Sequence, residues 1–494
     1  MISRHFRALL CALVVCSCLF RPTYAAEELT ADQANRDAKI LVAALRTLHP
    51  ALDKYRTRAE VEASFARFET RAGRARSVGE MYLAASELAA SIRCGHTWPN
   101  VLNQQGAIKI RLLDAPDKLP LTLTLVDGRW LVLGSVTPGI EAGDELVSID
   151  GLNSRKVVAK MLPYLRADGS SDGKRLRQLG HDRPDYNMMD IVWPLLAPPF
   201  GGVYRLGVRS GTGPMRTIDA RAVTLADRDA RLTSQGAKPS PTAWRFRIDG
   251  DHAVMTLPSF SVSSDIFDWQ RFFANSFAEL QQKRIGRLII DIRNNEGGDG
   301  AIGLELLTYL VRAPMSYSEE QSVTTYERVP YKLARYLDTW DFSFFDRTGL
   351  VDPILEGPQA GRLSFRPNAA RLHMVEPRAE HYVGQVFLLV GPEDSSATFV
   401  LAQLAQKWGA ATLVGQATGG NLRGLNGGQL AWVTLPGSGV SVDIPLLATR
   451  YTSDTPDASV TPNIIVQRSF AEQAAGRDQE MEAALHAQAM ELAR

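Results

Sequence analysis

Two stretches carry residues whose types and spacing could do chemistry. One runs from Arg287 to Gly300 and reads Arg-Leu-Ile-Ile-Asp-Ile-Arg-Asn-Asn-Glu-Gly-Gly-Asp-Gly; the other runs from Val386 to Phe399 and reads Val-Phe-Leu-Leu-Val-Gly-Pro-Glu-Asp-Ser-Ser-Ala-Thr-Phe. Each opens as a short apolar run of buried-strand type. Each then breaks into small and polar residues and resumes as an apolar helical pattern. Gly297 and Gly298 supply backbone that can take positive φ and approach a ligand closely. Ser395 and Ser396 supply hydroxyls at a helix start. Strand ends that meet at one rim are where α/β sheets place chemistry. A Gly-Gly turn beside a serine at such a rim would make an oxyanion hole next to a nucleophile. The donors this predicts are the N–H of the residue after the nucleophile, which is Ala397 if Ser396 attacks, and that of Gly297 or Gly298. The plainer readings are a tight turn for the glycines and a helix cap for either serine.

A serine hydroxyl is a poor nucleophile at neutral pH and needs a base within hydrogen-bond reach. His96 is the candidate, because an unperturbed imidazole titrates near neutrality. It precedes Ser396 by 300 residues, so any pairing must be spatial. The alternative is a histidine that satisfies a helix end. Cys94, two residues before His96, is read as a small buried filler in preference to a thiol nucleophile. His373 and His381 lack the close spacing of zinc sites, and no phosphate loop or dinucleotide fingerprint is present. Neither a metal nor an organic cofactor is expected.

The elements that must position these residues fall into successive segments. Leu41, Ala44, Leu45 and Leu48, then Val61, Phe65 and Phe68, then Met81, Ala84, Leu88 and Ile92 recur at helical spacing, with Gly95 as the expected stop. Residues 27–115 are therefore read as an N-terminal helical segment. Residues 117–185 change to strand period, with a hairpin signal at Asp127-Gly128 and a polar, Gly-rich loop over 166–185. Residues 200–475 begin with alternating strands and, from about 252, alternate strand and helix as a layered α/β core does. Residues 316–380 read as irregular, and Leu430–Leu435 and Val440–Leu446 as a hairpin. Residues 476–494 form a last helix.

The 494 residues carry a net charge of +1 with scattered Lys and Arg, which gives no footing for nucleic acid or an anionic membrane surface. Residues 1–25 read as a signal peptide: Arg4 and Arg7, an apolar run from Ala8 to Phe20, and a small-x-small site at Ala25. The expectation is an exported protein, periplasmic or secreted, without a transmembrane helix in the mature chain. An uncut anchor, or a lipid anchor through Cys18, is the alternative. Cleavage would leave Cys94 alone, so no internal disulfide could form.

Together the motifs resemble the S41 peptidases, the C-terminal-processing and tricorn-core group of serine proteases. Asp291–Gly298 is similar to the family's strand and paired glycines, Ser396-Ala397-Thr398 to its nucleophile at a helix start, and Val414–Gly420 to its strand and Thr-Gly-Gly loop. Gly95-His96-Thr97 resembles the box of the His-using branch, Gly143–Gly151 a PDZ-like segment, and Val460–Ile464 the family's stretch near the C-terminus. The resemblance implies a ClpP/crotonase-like layered α/β core behind a helical segment and a small PDZ-like β segment. It implies a serine-type peptidase acting on peptides or unfolded proteins through an acyl-enzyme. Ser396 would be nucleophile, His96 base, Ala397 with Gly297 or Gly298 the oxyanion hole, and Asp454 or Asp457 the group orienting His96. A PDZ-like segment would grip an extended peptide as an added strand. Three departures stand out: Asn421 where the processing branch has its lysine, Phe399 where the family carries glutamate, and Asn463 for an aspartate. They favour His96 as the base. They also leave open an inactive binding protein for peptides or apolar ligands. An esterase or amidase is a further alternative.

Overall fold

A computed structural model describes residues 28–183, 186–236, 242–263, 265–319, 321–366 and 371–487. The leader expected over 1–25, with Cys18, lies outside them, as do 488–494 of the last helix. The fold is mixed α/β. Three helices open it, Ala31–Leu48, Arg58–Ala72 and Val78–Ile92. The first two start with a reciprocal Thr cap, Thr30 with Gln33 and Thr57 with Glu60. The third stops two residues earlier than the expected Gly95 would make it. Arg93 takes the left-handed turn at φ 59°, and its guanidinium donates to the Gly169 carbonyl at 2.9 Å.

A six-stranded antiparallel sheet follows. The hairpin Leu121–Val126/Arg129–Ser135 turns at Asp127-Gly128, both at positive φ as a two-residue turn requires. This sheet does not end at 185. Val203–Arg209 pairs with Glu145–Ile149 and is itself joined by Arg216–Arg221, so the boundary expected before 200 is corrected to beyond 221. Alternation alone fixes which face a strand buries, not which sheet it joins.

The core sheet runs in the order Ile464–Ile465, Thr412–Gly415, Gln385–Val390, Arg287–Asp291, His252–Thr256, Arg245–Asp249. All neighbours are parallel except the last pair. The helices Trp269–Gln282, Gly300–Leu310 and Ala397–Lys407 contribute to the apolar cluster on one face. Gln479–His486 contributes Ala484 to the cluster on the other. Residues 316–380, read as irregular, contain short strands that build two small sheets, one of them with Ala448–Thr449.

The hairpin Leu430–Thr434/Ser441–Pro445 forms as expected but does not join the core sheet. It pairs with Leu337–Asp338 and buries Ala431, Val433, Val442 and Ile444 in the cluster of the N-terminal helices. Asp37, fully buried on the first helix, accepts from the N–H groups of Gly437 and Ser438 at 2.8 and 2.7 Å and from the Ser438 hydroxyl at 2.7 Å. Asp37→Ala would orphan these donors and should cost about 2–3 kcal/mol, read as a lower urea midpoint at unchanged slope.

Candidate active site

The strands Arg287–Asp291 and Gln385–Val390 are parallel neighbours, with Leu389 opposite Asp291. Their C-terminal ends therefore deliver the Gly-Gly turn and the serine pair to one rim. Ser396 stands at the corner before the helix Ala397–Lys407 with φ 52° and ψ −126°, and its side chain makes no capping bond. A non-glycine residue held there is strained, and such strain gathers at functional sites. The turn opposite is in direct contact. A Cβ on Gly297 would lie 2.8 Å from Ser396 Cβ and 2.9 Å from the Ala397 nitrogen. A Cβ on Gly298, at φ 131°, would fall 2.2 Å from the Phe260 carbonyl carbon.

The two glycines differ in what their N–H groups do. That of Gly297 donates to the Asn295 side chain at 2.9 Å, and Asn295 is itself anchored to the Leu257 carbonyl at 2.8 Å. Among the described residues, the N–H groups of Gly298 and Ala397 have no hydrogen-bond partner.

His96 reaches the same place from the N-terminal half. A cavity of about 590 Å³ is lined by His96, Ser395, Ser396, Gly297 and Gly298 among others. Thr97, next to His96, is within 2.9 Å of His49 Nε2 at the end of the first helix. Trp98 stacks on Tyr186 and exchanges a backbone bridge with Asp443 of the hairpin. Docking of the hairpin against the helical segment thus fixes where His96 sits. No hydrogen bond joins His96 to Ser396 among the described residues; such bonds are often long before substrate binds. Burial pushes His96 down to about 4, while the Asp168 carboxylate pulls the other way.

Asp168 is a residue the sequence reading missed. It is buried, its Oδ1 accepts from the Gly95 N–H at 2.8 Å, and its Oδ2 has no partner, as His96 Nδ1 has none. Gly95 is needed here, because a Cβ on it would strike Asp168 Oδ2 at 2.6 Å. The expected orienting acids lie elsewhere. Asp457 accepts from the Ser170 N–H at 2.8 Å and from Asn421 Nδ2 at 2.6 Å, and exposed Asp454 accepts from Ser453.

The stretch 166–185, read as a loop, carries a short helix, Asp172–Arg177, and supplies Arg166, Asp168, Lys174 and Arg183 to the cavity. Glu296 Oε2 lies 3.2 Å from Arg166, and its Oε1 lies 2.9 Å from Arg183 and 3.7 Å from Lys174. Burial alone would raise Glu296; the three cations outweigh it and hold the carboxyl well below its usual range. Burial lowers the Lys174 ammonium and lifts Glu393 behind it to about 7. At the rim, Leu102 and Trp340 are more than half exposed.

The three departures from the family pattern have structural roles. Phe399 is buried against Gly420, where a Cβ would strike its ring at 2.3 Å. Asn421 bridges to Asp457, and Asn463 accepts from the Leu413 N–H at 2.9 Å. Cys94 is buried and burial pushes its thiol up, as suits a filler. His373 stacks on Tyr317, and no group of three potential metal ligands occurs among the described residues.

The model of Peptidase family S41 matches residues 251–466, which hold five of the six core-sheet strands and both halves of the rim. Residues 251–466 are an S41 peptidase core. The matched residues are those of a serine-type peptidase, a hydrolase. Two solved structures share the peptidase's fold. Mature CPAF complexed with lactacystin aligns at a TM-score of 0.60 and 15% identity, over 92% of this chain and 97% of that one. Mature CPAF alone aligns at 0.59 and 14%, over 92% and 96%. No curated protein sequence matches the chain. No helix among the described residues is long and apolar enough to cross a membrane.

Proposed function

We propose that this peptidase cuts peptide bonds through an acyl-enzyme on Ser396, with His96 as general base. The observation that carries the reading is the strained, uncapped Ser396, in contact with the Gly297-Gly298 turn and sharing one cavity with His96. Ser396 Oγ adds to the scissile carbonyl as its proton passes to His96. The oxyanion is held by the free N–H groups of Ala397 and Gly298; Gly297, with its N–H engaged, shapes the turn. Asp168 supports the imidazolium and is favoured over Asp454 and Asp457 as its partner. His96 then protonates the leaving amine, and water releases the acyl group by the reverse path.

The substrate in this reading is a peptide or unfolded protein threaded past Trp340 and Leu102. The PDZ-like reading of the antiparallel sheet, and export with or without a lipid anchor, belong to the same proposal. A fluorophosphonate probe should label one serine, and peptide mapping should find it at Ser396. Label on another residue would sink the assignment. His96→Gln should slow labelling by about 10⁴-fold.

The pH profile gives an independent check. A base works unprotonated, so activity is lost as pH falls through the His96 pKa. Burial puts that near 4 against an ordinary 6.5. kcat/KM on labelled casein should therefore hold most of its value one pH unit below 6.5. An acid limb centred at or above 6.5 would contradict a buried neutral His96.

A further inference from the structure

Lys174 lies outside the matched core, 221 residues before Ser395, yet its ammonium donates to Ser395 Oγ at 2.5 Å. The side chain is 2% exposed. Its path is built for it. Gly419 of the Thr-Gly-Gly loop lies against the Lys174 stem, and a Cβ there would meet Lys174 Cδ at 2.9 Å. Ser171, on the same segment, donates its hydroxyl to the Gly420 carbonyl at 2.9 Å.

Ser395 passes the contact on. Its hydroxyl accepts from Lys174 and donates to the Glu296 backbone carbonyl at 3.1 Å. That carbonyl belongs to the peptide joining Glu296 to Gly297, one residue before the free N–H of Gly298. The Glu296 carboxylate is held by Lys174, Arg166 and Arg183. On the other side, Thr398 Oγ1 donates to the Asn295 carbonyl at 2.7 Å. The turn is thus clamped at 295 by Thr398 and Asn295's own side chain, and at 296 by Ser395 and the cations.

We propose that Lys174 is a positioning residue. Through Ser395 it fixes the Glu296–Gly297 peptide and so aims the Gly298 N–H at the oxyanion. The argument rests on the reading of Ser396 and Gly298 given above. It assigns Ser395, the competing serine of the pair, to the relay. It requires no proton transfer by Lys174.

The test is the second-order rate of labelling by a fluorophosphonate, whose phosphoryl oxygen occupies the oxyanion site and which requires no knowledge of the natural substrate. Wild type, K174M, S395A and the double variant are compared, with S396A as reference. K174M and S395A should each label about 30-fold or more slowly, short of the ~10²–10³-fold lost with a whole donor. The double variant should be no slower than K174M alone, because the two residues act in one relay. On a casein-derived peptide, kcat should fall with KM unchanged within about two-fold, since the donor acts on the transition state and not on binding. A merely structural lysine would lower the melting temperature without this split. Wild-type labelling by folded K174M or S395A, or losses that multiply, would overturn the proposal. Should K174M fail to fold, the S395A rate decides alone, because that change removes one hydroxyl. Labelling that persists in S396A would overturn the nucleophile assignment and this inference with it. Silence in S396A beside wild-type rates in the others would overturn the relay only.

Discussion

Ser396→Ala should cut peptide turnover by at least about 10⁴-fold while leaving the fold intact. The loss follows from the corner itself. Ser396 brings its hydroxyl into the cavity from a backbone at φ 52°, and its side chain caps nothing. Alanine keeps the strain and loses the nucleophile, so stability should scarcely change. Ser396→Gly separates the two quantities. Glycine takes positive φ freely, so this variant should be equally dead yet more stable by about 1 kcal/mol. Casein turnover and a urea midpoint measured on the same three proteins test both halves. A Ser396→Gly protein no more stable than Ser396→Ala would mean that the corner is not strained. Ser395→Ala, by contrast, should retain measurable turnover.

Gly298→Ala should combine the second largest loss of activity with a loss of stability. A Cβ there would lie 2.2 Å from the Phe260 carbonyl carbon and 2.3 Å from the Ser261 nitrogen, both backbone atoms that cannot swing aside. The turn must move, and its N–H moves with it. We expect about 10²–10³-fold in kcat and about 2–4 kcal/mol in stability. Gly300→Ala, two residues on, is the control. Nothing lies within 4 Å of its Cβ and it opens the helix Gly300–Leu310, so it should be neutral or slightly stabilising. Equal behaviour of the two variants in activity assays would remove Gly298 from the site.

The rim was legible because its information is local. A buried strand, a glycine or serine break and an apolar helix follow one another within about fourteen residues at both 287–300 and 386–399. His96 was legible only through the Gly-His-Thr resemblance, since nothing near it in the chain speaks of Ser396. Asp168 and Lys174 were not legible at all. Their segment is polar and Gly-rich, and a six-residue helix leaves too little periodicity to detect. What marks them is burial of a charge against partners 73 to 221 residues away, which is a tertiary fact. The same holds for the hairpin 430–445. Its alternation announced two paired strands, but the Asp37 contacts that draw it to the N-terminal helices have no local trace.

That hairpin sets the order in which activity can arise. A ribosome makes the chain from its amino end, so His96 exists long before Ser396, and the hairpin that seats the helical layer emerges later still. On the proposed roles, a partly made chain would hold the base without the nucleophile, then both without the wedge that brings them together. On those roles, hydrolytic capacity would switch on only after residues 430–445 have emerged, and shorter partial chains would be latent. An excised 251–466 fragment would lack His96 and expose the apolar face of Ala431, Val433 and Val442. The core can thus be grafted or shuffled only together with the half of the chain that precedes it.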